Sequence, residues 1–357
     1  MATATRAELQ NVPYLDPAAL GNLDGRIVNL MPFWDGTRWH NWVPTPQGLF
    51  PMHTIDVFHS DYVAKTAAAD TDALIPFVEL MWQHLSWPDI ASFTMAISAD
   101  FHNLGTSIEK TDFFYLHQKE IGLAVTDFVK TELEYIFTLS RSVFDLIQEA
   151  IREIWFSKVR LNDEMADARR KQKALPKSFR SMVYRGKDGR PATVRTREDL
   201  INDDQLPPSL ADAYIAAVPF FDQIRTFRDS VVHGLSDRRL LYCTERGFCL
   251  PKDFRDSYGL QVDIPDHFEN ENLVSLLPLL AHIVVGTIAT CSNLMASFAR
   301  HIVLAPPLAP GYRIFVRGPH NDALGWMLKV HNGGSPWWSE RLRRPKAGIP
   351  SAPISPP

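Results

Sequence analysis

Apolar residues recur through the middle of the chain at mostly three- and four-residue steps: Phe128, Leu133, Ile136, Phe137, Val143, Phe144, Ile147, Ile151 and Ile154. That rhythm is the signature of one helix face turned to a core. From about Lys110 to Leu161 there is no Pro and a single Gly, at 122. The stretch predicts one long helix or two nearly collinear ones. A second helix is expected from near Ser209, after the Leu206-Pro207-Pro208 break, to Gly234, with Pro219 kinking or splitting it. Between Glu271 and Arg300 no Asp, Glu, Lys or Arg occurs. This predicts a wholly apolar helix over Leu273–Leu304, buried on all sides in a helical core. Its 273–299 part is also long enough to span a bilayer, but Pro278, His282 and Asn293 argue against that.

Period-two patterning is scarcer. LLYCTERGFCLP predicts a hairpin turning near Arg246-Gly247, and YRIFVRG a short strand. The first hundred residues are aromatic-rich and broken by turn formers, with a helix-like run around Asp72 to Leu85. These patterns together predict a mainly α fold: long helices, a small β-hairpin insertion and an irregular N-terminal layer. The expected divisions are an aromatic-rich layer (1–105), a helical domain (106–305), a strand-like extension (306–331) and a disordered, Pro-rich tail (332–357). Trp337-Trp338, flanked by Arg341, Arg343 and Arg344, either dock on a partner or membrane surface or lie in that tail as incidental aromatics.

Composition narrows the classes. Hydrophobic residues make up 45% of 357, enough for a sizeable core, and the formal charge of -4 excludes a surface that is basic throughout. Charge is regional. From Lys158 to Glu198 and its flank, basic residues outnumber acidic ones roughly two to one. Arg169, Arg170, Lys171, Lys173, Lys177 and Arg180 are the candidate phosphate contacts, with Tyr184 or Trp155 to stack on a base. Three cysteines cannot pair completely, and no signal segment opens the chain. Both point to a reducing, cytoplasmic setting. His53 and His59 lack a nearby ligand partner in sequence, Cys243 and Cys249 lack a second pair at zinc spacing, and no phosphate loop is present. No metal or cofactor is expected.

The chemistry concentrates in FDQIRTFRDSVVHG, residues 221–234. Phe220, Phe221, Ile224, Phe227, Val231 and Val232 share one arc of the wheel; Asp222, Arg225, Asp229 and His233 share the other. Arg228 falls inside the apolar arc. A guanidinium keeps its charge, so it needs an acid, carbonyls or a bound anion there. Asp229 and His233 stand four apart, which lets the carboxylate orient the imidazole. The plain alternatives are an Arg228 paired with Asp145 or Glu134, an Asp229 paired with Arg225, and a His233 that caps the helix end.

Arg228-Asp229-Ser230-Val231-Val232-His233, late in a helix that follows a long helix and a charged segment, resembles the signature of the HEPN superfamily. The resemblance covers about 110–304. It implies a helical bundle, dimerised so that Arg and His of both chains face one cleft. Many relatives are metal-independent endoribonucleases of toxin and antiviral systems, and others are non-catalytic binding modules. Carried over, the implied site is Arg228, Asp229 and His233, and the implied partners are RNA, a second copy and a protein partner or antitoxin. The alternatives are a non-catalytic interaction or RNA-binding module and, third, a membrane-associated helical protein.

Overall fold

The computed structural model describes residues 4–21, 23–158, 160–170, 173–186, 193–233, 241–253 and 267–341; the side chains of 158, 165, 166, 170 and 228–233 lie outside that description. Two short helices, α1 (Arg6–Leu9) and α2 (Pro17–Gly21), lead into β1 (Phe33–Trp34), β2 (Trp39–Thr45), β3 (Gly48–Thr54) and β4 (Ser60–Ala64). Then come α3 (Pro76–His84), α4 (Pro88–Leu116), α5 (Gln118–Ile121) and α6 (Val125–Glu153), extended by a π-helical turn over Ile154–Lys158. The basic region holds α7 (Glu164–Arg170), α8 (Phe179–Val183), β5 (Tyr184–Arg185), β6 (Thr193–Val194) and α9 (Arg197–Asp204). The chain continues through α10 (Pro208–His233), β7 (Tyr242–Cys243), β8 (Phe248–Pro251), β9 (Leu273–Ser275), α11 (Leu277–Ala299), β10 (Arg313–Arg317), α12 (Asn321–His331) and α13 (Trp338–Arg341).

The structure is 55% helix and 14% strand, with sheets of five, two and three strands, so the fold is mixed α/β. This corrects the expectation of a mainly α bundle with one small hairpin. The N-terminal region is not an irregular layer. It supplies four strands of the sheet β10-β4-β1-β2-β3, in which β10 runs antiparallel to β4 with Arg313 opposite Ala64 and Arg317 opposite Ser60. Long-range pairing of this kind leaves no local pattern, and Pro44 and Pro51 inside the strands demote them on sequence grounds. The same features suit an edge. Leu49 N–H is taken by the Glu8 carboxylate at 3.0 Å and Pro51 has no N–H, so β3 presents few open donors.

Behind the sheet, α4 and α6 form an antiparallel hairpin rather than one long or two collinear helices. Ser107 and Lys110 both reach Glu132, the latter at 3.0 Å. The reversal passes through Gly122, at φ +70°, ψ -141°, a backbone state that glycine alone enters cheaply. The helix α4 buries Ile90, Ile97, Phe101, Leu104 and Ile108 at helical spacing, diluted by Thr94, Ser98, Ser107 and Thr111 among its buried positions. Two of these hydroxyls return to their own helix, Thr94 to Ile90 O at 3.1 Å and Thr111 to Ile108 O at 2.7 Å.

Helix α10 packs antiparallel on α6: Phe227 stacks on Phe137 with centroids 5.4 Å apart, Phe221 meets Phe144 at 5.5 Å, and Tyr214 donates to Gln148 at 2.6 Å. Helix α11 lies against α6, α10 and α12, burying Leu280, Ile283, Val284, Leu294, Met295 and Phe298. It starts four residues later than the hydrophobic run suggests, because Leu273–Ser275 pairs with β8. Among the described residues it is the one helix long and apolar enough to cross a membrane by length and composition. Trp337 and Trp338 are buried at 1% and 0% exposure, which corrects the expectation that they dock outward or lie in a disordered tail. Arg246 covers Trp337 at 3.8 Å; Arg341 covers Trp326 at 4.1 Å and pairs with Asp112 and Glu109.

Candidate nucleic-acid interface

Helix α10 begins at Pro208, whose fixed φ and missing N–H suit a first helical position, and runs through Pro219 without the split expected there. Buried Leu210, Ala211, Tyr214, Val218, Phe221, Ile224 and Phe227 hold it to the core on both sides of that proline. The backbone stays helical through His233, so positions 222, 225, 229 and 233 continue one stripe, with 228 beside it. The side chains of Arg228, Asp229 and His233 lie outside the described residues. One turn earlier the stripe is fully described. Arg225 sits 3.3 Å from Asp222, and its guanidinium lies over the Tyr184 ring at 5.5 Å. Burial, and then Asp222 close by, push the Tyr184 phenol up to about 12.

Tyr184 also lines a groove of ≈620 Å³ with Lys173, Arg180, Arg185, Arg195 and Asp204. The six basic candidates divide here. Lys173 is held by Asp204 at 3.2 Å and by Asp203 O at 2.6 Å, and Lys177 pairs with Glu149 at 3.6 Å. Arg180 is exposed and makes no ion pair among the described residues; Arg169 behaves likewise, in a different groove. Arg170 belongs to α7 with its side chain outside the description, and Lys171 lies outside it altogether. Of the two aromatic candidates only half-buried Tyr184 can be reached, since Trp155 is 0% exposed within the π-helical turn.

The groove rests on a pair that the basic run did not announce. Arg195 and Asp204, with side chains 7% and 2% exposed, meet at 2.6 Å, and Arg195 also donates to Met182 O at 3.1 Å. A buried guanidinium needs this degree of pairing to offset its lost hydration. Arg185 is anchored by Asp199 at 3.3 Å and by Asp203. The local cue was the Thr196-x-x-Asp199 capping box, which starts α9 and sets the register of Asp203 and Asp204. Asp199 is pulled below its usual range first by the Thr196 N–H it accepts, then by Arg185 and Arg195.

Other reactive residues lie elsewhere. His59 and His102 rings meet at 3.6 Å between centroids, and a Cβ on Gly318 would stand 2.6 Å from the His102 ring. Burial, then His59 and His320, push His102 down to about 4. Among the described residues no group of three His, Cys, Asp or Glu is arranged to hold a metal ion. Burial raises the Cys243 thiol to about 11 and that of Cys249 to about 12.

No protein-family model, curated protein or solved structure matches the chain.

Proposed function

We propose that the chain is a HEPN-like protein that cuts RNA without a metal, through Arg228, Asp229 and His233, working as a cytoplasmic homodimer of the kind used in toxin or antiphage responses. The supporting observation is the bridge made by Tyr184, which lines the cationic groove and carries Arg225, one helical turn before the Arg-Asp-x-x-x-His motif. A strand whose phosphates follow that groove would be led to the end of α10. In the reaction the 2′-oxygen bonds to phosphorus and the P–O5′ bond breaks. One imidazole takes the 2′ proton, a second supplies a proton to the leaving 5′-oxygen, and Arg228 balances the charge on the phosphorane. Each chain brings one such imidazole, which is why two copies are required. Asp229 orients His233.

The test is incubation of mixed RNA with the protein in EDTA. His233→Ala and Arg228→Ala should each slow cleavage by about a hundredfold or more. The products should carry 2′,3′-cyclic phosphate, and the melting temperature should stay unchanged. Intact RNA with the parent protein, or equal cleavage by the variants, overturns the reading.

A second reading, a non-catalytic interaction module, draws on the outer side of the N-terminal sheet. Val43 faces Phe50 across β2–β3, and Phe50, 59% exposed, shares its side of β3 with exposed Met52 two residues on. Apolar side chains gathered on one face mark a protein-binding surface. This reading gains ground if RNA is never cut while Phe50→Ser with Met52→Ser changes the protein's self-association in sedimentation.

A further inference from the structure

A second groove, of ≈600 Å³, uses the other side of α9 and its end: Asn202 and the C-cap Gln205 line it with Asn162, Asp163, Arg169 and His301, over an apolar floor that includes Ile201 and Pro207. Its volume falls in the range of small-ligand sites, about 300–1,000 Å³. Three features point to the ligand's chemistry. Arg169 is a permanent cation with no ion pair among the described residues, a geometry suited to two oxygens of one phosphate. His301 Nε2 lies 2.7 Å from Ser209 Oγ, so the imidazole that lines the groove is held in place from behind by a hydroxyl. The amides of Asn202 and Gln205 offer donors and acceptors of the kind that base edges and ribose hydroxyls need, while Asn162, whose amide nitrogen donates to Arg300 O at 2.9 Å, adds its amide oxygen as an acceptor.

We propose that this groove binds a nucleoside monophosphate, with Arg169 and His301 on the phosphate, the amides on the nucleoside and the apolar floor under the base. The same chemistry is offered by a free nucleotide and by the phosphorylated end of an RNA strand. The site does not depend on cleavage at His233. In the unliganded protein, burial and Arg300 hold the His301 imidazole below its usual range. A bound phosphate works in the opposite direction, so the ring reports its own occupancy.

Calorimetry on the full chain would compare adenosine 5′-monophosphate, adenosine, and a 5′-phosphorylated against a 5′-hydroxyl RNA decamer. Adenosine monophosphate should bind about tenfold or more tightly than adenosine. Arg169→Gln should remove that advantage, Arg169→Lys should restore part of it, and carbon-detected histidine resonances should show His301 titrating about one pH unit higher in the complex. A preference for the phosphorylated decamer assigns the site to strand ends; equal decamers with tight monophosphate binding assign it to free nucleotide. Equal affinity for adenosine and its monophosphate, an unchanged Arg169→Gln, or no binding of any probe overturns the proposal. Repeating the titration with His233→Ala separates the two sites, because loss of RNA cleavage there should leave monophosphate affinity intact.

Discussion

The two grooves flanking α9 are built from the same basic stretch, yet they hold its charge differently. In the one beside Tyr184, Lys173, Arg185 and Arg195 are tied to Asp199, Asp203 and Asp204, leaving Arg180 as the lining cation without an ion pair among the described residues. In the other, Arg169 has no such partner among the described residues and shares the space with a hydroxyl-bound imidazole. A count of basic residues therefore overstates what a polyanion can meet. Cations spent on neighbouring carboxylates shape the wall, and the unpaired ones are available to a ligand.

The sharpest way to break this contrast is to unpair the buried guanidinium. Asp204→Ala leaves Arg195 with Asp203 at 3.4 Å as its remaining carboxylate and should cost about 3–5 kcal/mol, read from the urea midpoint. A loss under 1 kcal/mol would mean the pair is not structural. Next in size is the effect on RNA. Arg180→Gln should weaken binding and lower the slope of log affinity against log salt by about one contact, whereas Lys173→Gln should leave the slope unchanged because that ammonium is already engaged. Equal slopes for the two variants would erase the distinction. The smallest effect is on acid stability. Burial, then Arg300, keep the His301 imidazole below its ordinary range, so as pH falls below about 6.5 the unfolded chain takes the proton first and the folded state loses ground. His301→Asn should flatten the decline in melting temperature between pH 7 and 5; an unchanged decline would assign it to other groups such as His102, which is also held down by burial.

Part of this architecture was readable from residues alone. The stripe from Phe128 to Ile154 marked α6, because nearly every apolar residue on it meets the core. The hairpin at Arg246-Gly247 and the strand in YRIFVRG were also marked, each by a local signal. In α4 the helical spacing of Ile90, Ile97, Phe101, Leu104 and Ile108 is diluted by buried hydroxyls, while the five-stranded sheet was hidden by Pro44 and Pro51 inside its local hairpin and by the distant pairings of β4 with β1 and β10. Trp337 and Trp338 looked like tail residues because their Pro- and Arg-rich surroundings carry no periodicity; the ring partners of Trp338, Tyr115, Phe248 and Trp326, come from three other elements, and Arg246 covers Trp337. For the site, residue types were legible but availability was not. Nothing adjacent to Arg169 in the chain announces His301, and nothing near Lys173 announces Asp204.

The pairing of β10 with β4 carries a consequence for how the protein is made. Residues 60–64 leave the ribosome early and residues 313–317 late, so the β4 flank has no permanent neighbour during most of translation. A nascent chain carries that flank bare, with Tyr62 and Val63 awaiting cover, until its C-terminal strand is made.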